Sequence, residues 1–358
     1  MKDIRILAIN PGSTSTKIAV YNNTKFAFLK NVKHPATDLE KFGSITDQYE
    51  FRKKFILDEL KDAGIDVRSF NVVVGRGGLV KPIKSGVYEV NEAMISDLKK
   101  GIQGEHASNL GGLMAHDIAS AIPGARAFIA DPVVVDELQD VARISGHPLF
   151  ERRSIFHALN HKAIGRTHSE SVNRDYNELN LIIAHLGGGI SVGAHSRGRV
   201  IDVNNALDGE GPFSPERSGT LPAGCLAKIC YDPAYNHEDV KKMITGRGGL
   251  MAYFNTNNAY EIELRAKDGE PKAILIQNAM SYQIGKAIGA MAAVLKGEID
   301  AIILTGGIAH NPVLVDYIKN MVSFIAPVVI YPGEDEMKAL AMNGLMVMTG
   351  KIQPEEYA

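Results

Sequence analysis

The sequence predicts an α/β protein built from two duplicated domains. One observation is a pattern of apolar strand, small-residue loop and apolar strand that occurs twice, as IRILAIN-PGSTST-KIAVYNN and as LIIAHL-GGG-ISVGAHS. Another is that buried strands alternating with helical periodicity follow each copy, as expected of βα units. The third is length: 358 residues are enough for two domains at about 150 residues each.

The first element, IRILAIN, is rich in β-branched residues and reads as a strand, and KIAVYNN reads as its partner. The loop NPGSTSTK between them resembles a Walker A loop, G-x-x-x-x-G-K-[ST], with a threonine at the second glycine. A Walker A loop opens a helix, whereas this one joins strand to strand. A hairpin whose backbone N–H and hydroxyl groups face an anion fits better, because successive amides in a turn form an anion nest. Helical periodicity follows over Glu50 to Gly64, then the strand FNVVVG runs into RGGLVKP. Residues 91–122 read as helices broken near Gly101 and Gly111, and RAFIAD is a strand ending at Asp131. The stretch SGHPLFERRSIFHALNHK marks the passage between halves, giving domains 1–147 and 148–334.

The second half opens with strand, glycine loop, strand, turn and strand, with HLGGGIS where the first half has INPGSTS. Residues 273–295 place Ile276, Met280, Ile284, Ala287, Met291 and Leu295 at helical spacing, and Gly285 and Gly289 would permit close packing. AIILTGG is a buried strand entering a third glycine turn, followed by AHNP and a helix. The strand APVVIYPG and a helix from about Asp335 complete the order. The two halves would face one cleft. The pentapeptide GRGGL occurs at 75–79 and 246–250, with flanks too different for a repeat.

Net charge is −2 and the isoelectric point about 6.6, which lacks the basic footprint of nucleic-acid or anionic-membrane binding. The hydrophobic fraction of 45% suits two cores, and no apolar run reaches the ~18 residues of a membrane span. The N-terminal apolar stretch is too short for a signal peptide, so a cytoplasmic protein is expected. Cys225 and Cys230, spaced C-x4-C with no second pair, fit neither zinc knuckle nor redox motif and read as buried free thiols.

Six motifs, NPGSTSTK, VVVGRGGLV, RRSIFHALNHK, HLGGGISV, PERSGTLP and LTGGIAHNP, occur in the order found in the acetate and butyrate kinases. The chain resembles that family from Ile9 to about Glu336. The length, HLGGG in place of HLGNG, and GPFSPERSGTLP are similar to the butyrate-kinase branch. The resemblance implies the actin and sugar-kinase (ribonuclease H-like) fold, with two domains flanking a nucleotide cleft. It implies a first domain completed by the helix 335–358 and a second carrying the adenosine site. It also implies Mg²⁺ with ATP/ADP, a small carboxylate substrate and a homodimer or larger homo-oligomer.

The resemblance places Asn10, Ser13 and Ser15 at the transferred phosphoryl group, with Asn10 near Mg²⁺; otherwise Asn-Pro-Gly is an ordinary turn. His185, Gly187, Gly188 and Gly189 form the second loop, where glycines let a backbone approach phosphate closely. Gly306, Gly307 and Asn311 fall at the adenosine contacts, or else form a helix entry turn.

Arg76 and Arg217 carry the strongest expectation. Carboxylate and γ-phosphate repel each other, by about 4 kcal/mol per like-charge contact at ~4 Å and an effective dielectric near 20. A guanidinium fork suits both anions. The resemblance assigns Arg76 to the acid and Arg217 to the transition state.

His157 and His161 have an H-x-x-x-H spacing that could bind zinc on a helix, but a third ligand and the Glu of H-E-x-x-H are missing. The resemblance makes His157 a donor to phosphoryl oxygens and His106 a further cleft histidine. Asp131 would orient a Mg²⁺-bound water, since a carboxylate acceptor has no proton for a base to remove. Asp335 and Glu336 match the acidic pair that holds the metal; Glu336 is preferred, and helix N-terminal acids facing the dipole are the ordinary alternative. Phe156 and residues 80–87 could line the acyl pocket, where each buried methylene contributes about 0.8 kcal/mol.

The activity expected is reversible transfer of the ATP γ-phosphoryl group to butanoate or a similar linear or branched acid. Acetate or propionate kinase, or a hydroxyl-directed sugar-type kinase of the same fold, are the alternatives. An ATP-gated binding module like actin or the chaperones would need a further domain, for which a chain ending at Ala358 leaves no room.

Overall fold

The computed structural model describes residues 3–358. Two compact units form: one runs to Val135 and resumes with Asp335–Ala358, the other is Asp136–Glu334. Residues 136–147, read with the first half in sequence, belong to the second unit, where Lys162 Nζ meets Glu137 at 2.6 Å and the Gln139 N–H donates to Ile201.

The first unit is built on a six-stranded sheet ordered β3-β2-β1-β4-β6-β5. Its strands are β1 (Arg5–Pro11), β2 (Ser15–Asn22), β3 (Lys25–Lys33), β4 (Val72–Arg76), β5 (Val87–Glu89) and β6 (Arg126–Ala130). β1 and β2 pair antiparallel with Asn10 opposite Lys17, and β1 pairs parallel with β4. β3 was not apparent in sequence because most of its side chains are exposed, so it lacks a clean apolar alternation.

The pleat gives β1 two apolar faces. Leu7 and Ile9 join Val73 in the core with Met114 and Ile118 of helix Asn109–Ser120 and Ile56 and Leu60 of helix Tyr49–Asp62. Helix Glu336–Met348 also packs on β1 and β4; a Cβ on its Gly344 would lie 2.5 Å from Val74. The C-terminal segment is therefore an integral part of this unit's core.

Gly111 does not break a helix. It lies inside Asn109–Ser120, where a Cβ would come within 2.3 Å of the Arg76 carbonyl, and one on Gly75 would come within 2.1 Å of the Gly111 carbonyl. Two glycines facing each other let helix and strand end touch. Gly101 does end a helix, in the left-handed conformation after Glu92–Lys100. Val80, from the stretch 80–87, is fully buried in the core cluster.

The second unit repeats the plan with a five-stranded sheet, β11-β10-β7-β8-β9. The strands are β7 (Asn180–Leu186), β8 (Ile190–Ser196), β9 (Arg199–Val203), β10 (Ala301–Gly306) and β11 (Val328–Pro332). β7 and β8 form the hairpin and β7 pairs parallel with β10, as β1 does with β4. Ile182, Ala184, Ile190, Val192 and Ala194 pack with Met280, Ile284 and Ile288 of helix Pro271–Val294. Leu181, Ile183 and Ile303 form a cluster on the other face, with Ile164 of helix Ala158–Ser171 against it. Gly285 permits close packing, since a Cβ there would lie 2.8 Å from Met321; at Gly289 a Cβ would meet nothing.

Cys225 and Cys230 are free thiols but exposed, which corrects the expectation of burial. Their helix, Ala223–Cys230, buries none of its residues. Among the described residues no helix is long and apolar enough to cross a membrane.

Candidate active site

In the first unit the β1–β2 loop is held from beneath by Arg52, a fully buried side chain of helix Tyr49–Asp62. Its guanidinium donates to the carbonyls of Gly12 (2.6 Å), Ser13 (2.8 Å) and Ser15 (3.2 Å) and to Thr16 Oγ1 (3.3 Å). Gln48 Oε1 accepts two further bonds from it. Burial pulls the Arg52 pKa down to about 10, still well above neutral, so it is a cation at pH 7. With loop carbonyls turned toward Arg52, Ser13 and Thr14 lie exposed at the tip and Ser15 is half-buried. His34 Nε2 meets Thr16 Oγ1 at 2.9 Å, and burial with nearby Arg52 lowers its pKa to about 4.

Asn10, at the end of β1, shares the sheet face on which helix Glu336–Met348 packs. Its Nδ2 donates to Glu336 Oε2 at 2.5 Å, and Arg76 Nη1 lies 3.3 Å from both Asn10 Oδ1 and Glu336 Oε2. Asp335 instead caps the helix, accepting from the Lys338 N–H at 3.0 Å. The two neighbouring acids thus have different partners, and Glu336 is the one at Asn10 and Arg76.

Asn10 Oδ1 and the Glu336 carboxylate are hard oxygen donors. Mg²⁺ commonly takes one or two protein carboxylates and completes its shell with water and phosphate. The residues therefore fit such an ion, although no group of three or more His, Cys, Asp or Glu suited to a metal occurs among the described residues.

Asp131 follows β6 and is buried, with φ +38°, an uncommon conformation outside glycine. Its Oδ1 accepts from Ser85 Oγ (2.6 Å) and Gly86 N–H (2.9 Å). His106 is exposed at the entry to helix Asn109–Ser120, with Nδ1 2.8 Å from Ser108 Oγ.

In the second unit the glycine loop closes with the Gly187 N–H donating to the Gly189 carbonyl at 3.1 Å. Arg217 lies directly on this loop: a Cβ on Gly189 would come within 1.9 Å of its Nη1. The guanidinium donates to the Ala206 carbonyl, and burial pulls it below the usual arginine range, opposed by Glu216. Ser214 Oγ, from the same segment, donates to the Gly188 carbonyl at 2.7 Å. The second GRGGL packs beneath that segment, where a Cβ on Gly249 would overlap the Ser214 carbonyl. The first instead packs against Asn109 and Pro132, so the two copies serve different surroundings.

His157 precedes helix Ala158–Ser171, with Nδ1 2.9 Å from Ser191 Oγ on β8 and its ring tilted by 30° against that of His185, 4.3 Å away between centroids. His185 Nε2 lies 3.4 Å from Glu334, while its buried Nδ1 has no hydrogen-bond partner. His161, one turn on, places Nε2 2.8 Å from the same Ser191 Oγ. The H-x-x-x-H pair therefore brackets a serine hydroxyl. Phe156 is buried with its ring edge-on to His161.

A cavity of about 270 Å³ lies beside the third glycine turn. Gly307 and Asn311 line it, together with Asn257, Glu263, Gln277 and Met280; of these four the sequence reading named only Met280, and that as a helix-packing residue. Those four come from a loop and two helices, and no local motif links them. Gly306, at φ +94°, is forced to be glycine because a Cβ would lie 2.4 Å from the Leu186 carbonyl. Asn311 caps helix Pro312–Val322 through the Leu314 N–H and donates to Gln277, so its side chain forms a wall of the cavity.

Residues 146–326 match the Acetokinase family. Two proteins of Clostridium acetobutylicum, butyrate kinase 2 and butyrate kinase 1, are each 54% identical over 353 residues, covering 99% of this chain and 99% of each relative. The crystal structure of Porphyromonas gingivalis acetate kinase superposes with a TM-score of 0.79 at 19% identity, covering 96% of this chain and 100% of that one. That likeness concerns the fold, two α/β units each built on its own sheet. With near-complete coverage at this identity, the chain belongs to the acetokinase family.

Proposed function

We propose that the protein reversibly transfers the γ-phosphoryl group of Mg-ATP to butanoate or a similar short acid, linear or branched, giving an acyl phosphate and ADP. The observation that carries this reading is the end-to-end 54% identity to two proteins named butyrate kinase. The geometry of each unit supplies what part of the chemistry requires.

The acceptor is already an anionic nucleophile, so alignment and charge neutralisation are the main tasks. Arg76 presents a guanidinium to hold the acid, and Arg217, pressed on the glycine loop, meets charge growing on the phosphoryl oxygens. Desolvation strengthens Arg217 in this role, since a buried cation acts through a lower effective dielectric. Asn10 and Glu336 would hold Mg²⁺, which when bound offsets negative charge on the phosphate oxygens. The loop of Gly187, Gly188 and Gly189, whose Gly187 N–H is spent on the Gly189 carbonyl, offers the amides of Gly188 and Gly189; the exposed tip at Ser13 adds a donor, and His157 a ring N–H. Asp131, already accepting two hydrogen bonds through one oxygen, is suited to orienting neighbours and not to removing a proton. The cavity at Gly307 and Asn311 would take the adenosine.

His106 and Phe156 contribute on the acid side of this reading. Self-association into a dimer or larger homo-oligomer accompanies it and is measured by sedimentation. The exposed free thiols fit a reducing, cytoplasmic setting.

Incubation with ATP, Mg²⁺, hydroxylamine and a panel of C2 to C6 acids tests the proposal. Hydroxamate should form fastest with a four-carbon acid; none with any acid refutes carboxylate kinase activity, and a maximum at C2 or C3 reassigns the substrate.

A further inference from the structure

Behind His157 runs an unbroken line of hydrogen bonds within the second unit. Ser191 Oγ lies 2.9 Å from His157 Nδ1 and 2.8 Å from His161 Nε2. His161 Nδ1 lies 3.1 Å from His195 Nε2, and His195 Nδ1 lies 2.7 Å from the Tyr176 hydroxyl. The secondary structure builds this line directly. Ser191 and His195 are four apart on β8 and share one face of the pleat, while His157 and His161 are one helical turn apart. Gly193, between the two strand residues, leaves room for His161, whose ring would be 3.4 Å from a Cβ there. Gly165 makes room for Tyr176, since a Cβ would lie 2.6 Å from the phenol ring.

We propose that Tyr176, His195, His161 and Ser191 are positioning residues that set the tautomer of His157, so that its single proton sits on Nε2. The inference rests on the reading of His157 as a donor to the phosphoryl group. Each link holds one proton, each neutral imidazole carries one N–H, and serine carries one O–H. With the Ser191 O–H given to one of its two histidines, so that each link holds one proton, the polarity of one link dictates that of every other. Full burial keeps His161 and His195 neutral, pushing both well below the usual histidine range; His185 and Lys162 add to this for His161, against a bond it donates to Ser191, and His161 and Lys162 add to it for His195.

The phenol decides the direction, because its O–H is a stronger acid than an imidazole N–H and an imidazole nitrogen is a better acceptor than a phenol oxygen. Tyr176 donates to His195 Nδ1, His195 Nε2–H to His161 Nδ1, His161 Nε2–H to Ser191, and Ser191 to His157 Nδ1. The remaining His157 proton is then on Nε2. Reversed, the same line would place that proton on Nδ1 and leave a lone pair at Nε2, facing a phosphoryl oxygen with repulsion. Chains of this kind also polarise one another, which sharpens the preference.

Imidazole ¹⁵N spectra of the ligand-free protein test this, with His157 assigned by comparison with His157→Gln. The expected wild-type pattern is an unprotonated Nδ1 and a protonated Nε2. Tyr176→Phe removes the bias and should give a mixture of tautomers, with kcat lowered about twofold or more as the donor form falls toward half the population, and KM for ATP unchanged. A wild-type His157 protonated on Nδ1 overturns the proposal, as does a Tyr176→Phe protein with the wild-type ¹⁵N pattern. Should Tyr176→Phe fail to fold, the wild-type spectrum and that of Ser191→Ala decide: loss of the single-tautomer pattern in Ser191→Ala supports the line, and retention refutes it. The spectra need no turnover, so a protein inactive toward every acid would sink the functional reading and leave this measurement standing.

Discussion

Replacing Arg52 by methionine should separate the cost of losing a buried guanidinium from the cost of losing the loop it organises. The side chain makes six hydrogen bonds, four to the β1–β2 loop and its margin and two to Gln48 Oε1. The carbonyls of Gly12 and Ser13 lie near the exposed tip and can recruit water, and Ser15 O keeps the Gly12 N–H. Gln48 is buried and its oxygen would be orphaned, at about 1–3 kcal/mol. Adding partial loss at the loop, and subtracting the relief of no longer burying a cation, leaves roughly 2–4 kcal/mol of destabilisation.

Urea unfolding of Arg52→Met reads that term, and the hydroxamate assay reads turnover. The double variant Arg52→Met/Gln48→Met removes both partners, which should recover much of the stability, because replacing a whole buried pair by apolar groups is far milder than orphaning one member. Turnover should stay at least about tenfold down in both, since neither restores the donors under the loop carbonyls. Wild-type turnover in the double variant would refute the account of Arg52 as the organiser of the phosphate loop.

The neighbouring acids should behave oppositely. Asp335→Ala should cost about 1 kcal/mol of stability as a lost N-cap with turnover nearly intact, whereas Glu336→Gln should keep stability and raise the Mg²⁺ needed for half-maximal rate by tenfold or more, read by a metal titration. Gly189→Ala should lower kcat about a hundredfold by displacing Arg217, whose Nη1 lies 1.9 Å from where the Cβ would go, with melting temperature reporting that the fold survives. His34, held at a pKa of about 4 against 6.5 in the unfolded chain, takes its proton later in the folded state. Stability from this group is therefore full above pH 6.5 and falls as pH drops toward 4, by roughly 2–3 kcal/mol; His34→Gln should flatten that slope in urea titrations at stepped pH.

The duplicated hairpins were readable because each joins two apolar strands through a short small-residue loop, Gly-Ser-Thr in the first and three glycines in the second, and both sheets repeat that opening. The pairing of Asn10 with Glu336 could be anticipated only through family likeness, since 326 positions separate them. That Asp335 and Glu336 have different partners shows only in the capping geometry of the last helix. Arg52 gave no signal, because YEFRKKFILDELKD reads as a charged amphipathic helix in which one arginine looks like its neighbours. His161 was visible only as half of a metal-like spacing; its true partners, Ser191 and His195, come from a strand whose polar residues look like ordinary alternation. Gly111 misled because a helical glycine usually marks an end, and only contact with Gly75 shows that it serves close approach.

The most direct test follows the oxygen atoms. Butanoate labelled with ¹⁸O in both carboxyl positions, incubated with the protein, ATP and Mg²⁺, is observed by ³¹P NMR. Attack of the carboxylate on the γ-phosphorus predicts butanoyl phosphate with ¹⁸O bonded to phosphorus, together with ADP. Pyrophosphate and an acyl adenylate, or phosphorylated product without the label on phosphorus, would contradict it.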